Sequence, residues 1–355
     1  MEDISFIHCS DLHLGNMQYN RIERFEDFGR AFLHIADYAI ENETDFFLIS
    51  GDLFNKRNIN AGTLIQATRI LDKLREANVR VLAIEGNHDK AFREDRISWM
   101  QFLSERDYIQ LLKPDFQEGE IYLHKWNDVD SKTGAYVETD DVRIYGIGYL
   151  GATTGQRIKQ IAPRIESDGK FTIMMLHAAI QGMAKMEIGG VSQEDIQVLK
   201  DRVDYLALGH LHHKNEMDGW MFNPGAPECW DIAEAEYEKG FYHVRVSGRT
   251  KDAQFIESKR RDTYRKEIDI SGSADPSEVE ARVWQNMDLE RLASMNRPMV
   301  QLILNGKVNF NPNEIDVDSI VDKLQTQHGC MIVEVVNNAN LFIRKYDREA
   351  RLDRE

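Results

Sequence analysis

Five short clusters hold the side chains that could do chemistry: Asp11-Leu-His13, Gly51-Asp52, Gly86-Asn87-His88-Asp89, His177 and Gly209-His210-Leu-His212. Carboxylates, imidazoles and a carboxamide, with no thiolate among them, suit manganese or iron better than a soft-ligand zinc site. Two divalent cations about 3.5–4 Å apart can clamp both the attacking and the leaving oxygen of a phosphoryl displacement. Such a centre needs one carboxylate that bridges both ions and a mixed ligand set on either side. Asp11, His13, Asp52, Asn87, His177, His210 and His212 are of the right types. In an extended segment residues i and i+2 point the same way, so Asp-x-His and His-x-His would each aim two groups into one pocket. His88, beside a ligand but displaced from the ions, is suited to protonate a leaving oxygen or to stabilise the developing charge.

Taken singly, each residue has a plainer reading. Asp11 could be a cap or turn residue, and a lone histidine is most often a core or surface residue. His8, His34, His124, His243 and His328 are read that way, and His213 has the wrong parity to join His210 and His212. What sets the five clusters apart is that each follows a predicted strand. Ile4–Cys9, Phe46–Ser50, Val79–Glu85, Phe171–Leu176 and Asp204–Gly209 are apolar runs of strand type. Helical stripes fall between the first three, at about Arg24 to Asn42 and Ala61 to Ala77. Strand, loop and helix in repetition predict an α/β fold with a partly parallel sheet, in which sites gather beyond the carboxyl ends of the strands.

The helix expected at about Asp95 to Arg106 carries Ile97, Trp99, Met100, Phe102 and Leu103, more than one apolar face. It is either sunk in the core or buried against a second subunit. Further on, Ile121–Trp126 and Val142–Tyr149 read as a meander around the loop 127–141. Short helices are expected at about Gly155–Ile165 and Ser192–Lys200, and a second sheet is completed by Trp220–Pro227, Gly240–Ser247 and Ala253–Ser258. The polar break Gly272–Pro276 marks a linker. Beyond it, helices Ser277–Ala293 and Val317–Gln327 alternate with strands Met299–Leu304 and Met331–Val336, a small α+β module. The expected division is therefore 1–270, 276–345 and a charged tail, 346–355.

The length of 355 residues, 42% hydrophobic share and 29% charged share allow one large domain and a smaller one. No apolar run reaches the roughly 20 residues of a membrane helix. Cys9, Cys229 and Cys330 are odd in number and have no CxxC spacing, which points to a reducing compartment, the cytoplasm. The net charge of −16 argues against nucleic acid as a partner at long range, while Lys259-Arg260-Arg261 and Arg265-Lys266 bunch positive charge locally.

The clusters resemble the calcineurin-like metallophosphoesterases, whose pattern D-x-H, G-D, G-N-H-D, H, G-H-x-H is matched across about residues 4–250. The forms Cys9-Ser-Asp-Leu-His-Leu-Gly15, Gly51-Asp-Leu-Phe54 and Gly86-Asn-His-Asp89 are similar to a narrower group, the SbcD-type nucleases of double-strand-break repair (the meiotic-recombination-eleven family). The module after residue 275 resembles, more loosely, that group's DNA-capping domain. The resemblance implies a four-layer αββα sandwich with a small C-terminal α+β capping domain. It implies two Mn2+ per subunit, one held by Asp11, His13, Asp52 and His212, the other by Asp52 (bridging), Asn87, His177 and His210. His88 matches the catalytic histidine. In-line hydrolysis of DNA phosphodiesters would give 3′-to-5′ exonuclease and single-strand endonuclease activity. A homodimer through Ala61–Ala77 and Asp95–Arg106 is implied, together with a coiled-coil ABC-type ATPase partner (SbcC-like, Rad-fifty-like). One position departs: many relatives carry histidine after Gly-Asp-Leu-Phe, where this chain has Asn55. The other reading of the same residues is a metallophosphoesterase of small molecules or phosphoproteins. A non-catalytic scaffold would be expected to have lost ligand positions, and all are filled here.

Overall fold

The computed structural model describes residues 3–126, 132–183 and 190–341; the expected tail 346–355 lies outside them. The chain forms two compact units, residues 1–230 with 237–260, and residues 231–236 with 261–355.

In the first unit, strand β1 (Ile4–Cys9) pairs in parallel with β2 (Phe46–Ile49), and β2 with β3 (Arg80–Ala83). Helix α1 (Ile22–Glu41) makes the first crossover and α2 (Ala61–Glu76) the second. Parallel neighbours need such crossovers, and the helices then cover one face of the sheet. Phe32, Ile35, Leu71 and Leu74 on those helices pack with Ile7, Phe47, Ile49 and Val81 of the strands. Among the described residues the sheet has seven strands. One edge is built by Gly240–Ser247, antiparallel to β1, and Thr250–Glu257 beyond it. This corrects the sequence expectation, which assigned both segments to the second sheet. Alternation alone does not say which edge a late strand rejoins.

Among the described residues the second sheet has six strands. Val142–Gly146, Phe171–His177 and Tyr205–Gly209 run in parallel at its centre. Its outer face packs on Ile158, Ile161, Ile196 and Leu199. Its inner face meets the first sheet: Phe6, Leu48 and Leu82 cluster with Ile173, Met175, Tyr205 and Ala207. Helix, sheet, sheet and helix are thus the four layers of this unit. The expected meander is also corrected. Glu120–Tyr122 pairs with Asp115–Gln117 in a separate hairpin, and Val142–Gly146 takes Tyr136–Glu138 as its antiparallel neighbour.

Helix α3 (Trp99–Glu105) begins four residues after the expected start at Asp95, because the Ser98 side chain accepts from the Gln101 amide and caps it. Met100 and Leu103 are buried, and Trp99 and Phe102 pack partly against the same core. Ile97 precedes the helix and stays 56% exposed.

The second unit holds a parallel three-stranded sheet, Thr263–Asp269, Met299–Val308 and Ile332–Leu341. Helices Pro276–Asn286 and Val317–His328 bury Val279, Val283, Ile320 and Leu324 in its core. The expected helix Ser277–Ala293 is broken, because Asp288 caps a new turn at Leu289–Ala293. Thr263–Asp269 pairs inside this sheet, so the division falls at Arg261 rather than in the polar break at 272–276.

His8 joins the two sheets of the first unit. Its Nε2–H donates to the Leu208 carbonyl at 2.9 Å, and its Nδ1 lies 2.9 Å from the Tyr205 hydroxyl. Full burial pulls the imidazole down to about 3, so the folded protein holds it neutral while the unfolded chain binds a proton below about 6.5. Stability from this group is present above pH 6.5 and is lost as pH falls toward 3. Between pH 7 and pH 5 the loss amounts to about 2 kcal/mol. Urea unfolding at the two pH values should show that His8→Gln loses less stability over this interval than the parent by about that amount.

Candidate metal centre

The site lies beyond the carboxyl ends of strands from both sheets. From the first sheet, the segment after β1 runs beside the segment after β2. Asp11 N–H donates to the Gly51 carbonyl, His13 N–H to Asp52 and Leu14 N–H to Leu53, at 2.9–3.0 Å. From the second sheet, His177 ends one strand, and His210 and His212 follow the next. The five clusters read from the sequence therefore meet.

The backbone brings them together differently from the extended i, i+2 expectation. Asp11 (φ 53°), His13 (φ 46°), Asp52 (φ 51°) and His210 (φ 96°) are all in left-handed conformations. Such residues cost roughly 1–3 kcal/mol each and persist where the surroundings over-determine them. Strand parity is thus not what aligns Asp11 with His13. Two glycines are required by space. A Cβ on Gly86 would sit 2.0 Å from an Asp52 carboxylate oxygen, and one on Gly51 (φ +94°) 2.3 Å from His177 Nδ1.

Asp52 is nearly inaccessible, at 2% exposure. One carboxylate oxygen accepts from the His88 amide at 2.8 Å, and the other lies 3.3 Å from His177 Nε2. His177 Nδ1–H donates to the Ser50 carbonyl at 2.8 Å, which aims Nε2 at Asp52 and at Asn87 Oδ1, 3.2 Å away. His210 Nδ1 is 3.1 Å from the same Asn87 oxygen. Asp11 accepts from Ser10 Oγ and from the His210 amide. His13 Nε2 and His212 Nε2 face each other at 3.0 Å, and buried His13 Nδ1 has no hydrogen-bond partner among the described residues.

Donor atoms of Asp11, His13 and His212 lie within 4.8 Å of one another; so do those of Asp11, Asp52 and His177, and those of His13, Asp52 and His88. Lone pairs converging with this density demand positive charge. The residues fit divalent cations, since hard oxygens and imidazole nitrogens point inward and their outer atoms are held by the fold.

The protonation states carry the same message. Burial works against charge on His177, yet the Asp52 carboxylate beside it outweighs burial and lifts the imidazole to about 9. Burial likewise works to raise Asp52, but His177 holds it below the usual carboxylate range. His13 is pushed down by burial and by His212, and His210 falls to about 4 by burial and by the His177 charge. Asp11 is raised, mainly by burial. Asp89 is raised to about 7 by burial and by Asp52, and accepts from the amides of Gly86, Leu53 and Phe54, pinning the third cluster to the second.

His88 sits at the rim, its side chain 32% exposed. Nδ1–H donates to the Asn55 carbonyl at 2.7 Å, leaving Nε2 turned inward, 4.0 Å from an Asp52 carboxylate oxygen. His213 lies outside the cluster, with Nε2 3.1 Å from the Met183 carbonyl. His8, His34, His124, His243 and His328 belong to none of these groups. The sequence reading overlooked Tyr149, whose ring lies 5.6 Å from that of His210, and Trp230, 5.7 Å from His212 and 6.1 Å from His13. Neither belongs to a motif with ligand spacing, so only the fold reveals them. The basic run 259–266 is divided between the two units. Lys259 and Arg260 belong to the first unit, and Arg265 lies with Glu236 and Glu267 in the second.

The calcineurin-like phosphoesterase family model matches residues 4–214. A relative from Archaeoglobus fulgidus, DNA double-strand break repair protein Mre11, is 28% identical over 75% of this chain and 62% of its own length. The protein of the same description from Sulfolobus acidocaldarius is 25% identical over 91% of this chain and 79% of its own length. Metallophosphoesterase YhaO of Bacillus subtilis, described as uncharacterized, is 26% identical over 70% of this chain and 58% of its own length. The chain thus spans less than two thirds of the length of several curated relatives it matches.

The Asp52 carboxylate favours the protonated form of His177 below about pH 9, and a metal ion bound there would have to displace that proton. Loading with Mn2+ at pH 7.5 is expected to expel about one proton from it, and affinity is expected to climb as pH approaches 9. Calorimetry in buffers of different ionisation enthalpy measures that proton directly; no proton release would contradict the assignment.

Proposed function

The chain belongs to the calcineurin-like phosphoesterase family and carries a dimetal phosphoesterase site, and from that premise we propose that it is a manganese-dependent DNA nuclease of double-strand-break repair. The observation that carries this reading is the convergence of Asp11, His13, Asp52, Asn87, His177, His210 and His212 beneath His88. Asp11, His13, Asp52 and His212 would hold one ion; Asp52, Asn87, His177 and His210 would hold the other. Such a pair supplies charge neutralisation at the phosphoryl oxygens and a nucleophile generated from water near neutral pH. Ser50 orients His177 through its carbonyl, and Ser10 and the His210 amide orient Asp11.

His88 is the group whose geometry suits proton transfer. Its Nδ1–H is committed to Asn55, so Nε2 is the nitrogen able to carry a proton to the leaving oxygen of the strand. DNA as substrate is supported by the names of the Archaeoglobus and Sulfolobus relatives. It is also supported by Lys56 and Arg57, which line a cleft beside His88 and Asn87. A homodimer is part of the proposal, because Ile65 on α2 and Ile97 before α3 are apolar and about half exposed. A coiled-coil ABC-type ATPase is the proposed partner, by relationship to the same proteins. The 3′-to-5′ polarity and the single-strand endonuclease activity enter by the same route.

End-labelled duplex and single-stranded DNA incubated with the protein and Mn2+ should yield shortened products, and none with chelator. His88→Ala should bind Mn2+ as the parent does and lose at least a hundredfold in turnover. A manganese-loaded protein that leaves DNA intact and hydrolyses small phosphoesters would put the second reading in place of the first. Light scattering tests the dimer: Ile65→Glu and Ile97→Glu should each raise the monomer fraction.

A further inference from the structure

Beside the metal centre a cleft of 530 Å³ is lined by Asn55, Lys56, Arg57, His88, Phe92 and Trp230, among others. Phe92 and Trp230 are large and apolar, yet 45% and 38% exposed. Each is held in place. The Trp230 indole N–H donates to Asn55 Oδ1 at 2.9 Å, and the Arg57 guanidinium lies 5.8 Å from the centre of the Phe92 ring. The segment leading to Trp230 is anchored from beneath. Arg24, fully buried, donates to the Cys229 carbonyl at 2.7 Å and pairs with Glu228 at 3.2 Å. Arg24 also pairs with Asp27 at 2.7 Å.

Asn55 links this cleft to the chemistry. Its side chain takes the indole N–H, and its main-chain carbonyl takes the proton of His88 Nδ1. The cleft also has an unusual charge for this chain. Within a protein of net charge −16, Lys56 and Arg57 contribute cations and no carboxylate is among the lining residues.

We propose that this cleft is a stacking subsite for an unpaired nucleobase next to the scissile phosphate, with Trp230 and Phe92 taking the base and Lys56 and Arg57 the flanking phosphate. The proposal rests on the nuclease reading and adds to it the residues that would hold an unpaired base. A base inside a duplex has its faces covered by its neighbours, so such a cleft selects a frayed end or a single strand. Every base presents a π-face, so stacking on aromatic rings is tolerant of sequence, and the adjoining cations make binding depend on salt. Asn55 is a positioning residue: it fixes the indole plane and acts on the substrate through Trp230.

The test uses two single-stranded oligonucleotides of one length, one intact and one with a run of abasic sites. Binding is read by fluorescence anisotropy in chelator, where no turnover occurs, and cleavage is read separately with Mn2+. The expected result is that the parent binds the intact strand about tenfold more tightly than the abasic one. Trp230→Ala and Phe92→Ala should each lose most of that preference, while Trp230→Phe retains it. Equal affinity of the parent for both strands overturns the subsite. So does a loss in the variants that is the same on both strands, since that marks a structural effect. A parent that binds the intact strand preferentially but cleaves neither with Mn2+ keeps the subsite and removes the nuclease reading.

Discussion

Buried lone pairs facing one another are the constraint from which the rest of this structure follows. An Asp52 carboxylate oxygen, His177 Nε2 and the part-buried Asn87 Oδ1 are drawn together, and acceptors so placed repel unless a cation or a proton lies between. The fold accommodates this by fixing each group from behind. The Ser50 carbonyl takes one nitrogen of His177, the His88 amide takes one oxygen of Asp52, and Asp89 ties Gly86 to Leu53 and Phe54. Without that scaffolding the donors would turn outward to solvent, where each is more stable.

This requirement shapes the two-sheet architecture of the first unit. One sheet alone delivers Asp11, His13, Asp52 and Asn87; the histidines of the later clusters come from the other. The apolar layer between the sheets, from Phe6 and Leu48 to Ile173 and Tyr205, sets their spacing and so the distance between Asp52 and His177. Left-handed backbone at Asp11, His13, Asp52 and His210 is the local cost of turning polar side chains back across the strand ends. Four of the converging residues carry this strain.

The rim of the site depends on a different set of interactions. Asn55 holds both His88 and Trp230, and the buried ion pairs of Arg24 hold the segment from which Trp230 emerges. Removing one partner from such a buried pair strands a charge, so the segment is anchored although its last side chain is exposed. An anchored rim beside a preorganised centre suits a substrate that must be held on both sides of the bond being broken.

The composition of the site was legible in the residues themselves, because chemistry restricts which side chains a two-ion centre accepts and five clusters at strand ends are hard to meet otherwise. The strands β1 to β3 and the intervening helices were equally plain, since hydrophobic periodicity reports a buried face wherever the partner layer lies. Edge pairing was not. Gly240–Ser247 and Thr250–Glu257 read as strands but rejoin the first sheet, a choice made by long-range packing that leaves no local mark. Nor was the place of Thr263–Asp269, which pairs with Met299–Val308 across the polar break at 272–276. Asp11 and His13 reach their pocket by left-handed turns, and Trp230 reaches the site by the anchoring of Arg24 more than two hundred residues away in the chain. Residue types and their order determine what the centre can bind. Which atoms face each other, and at what distance, is decided only when two sheets close on a shared core.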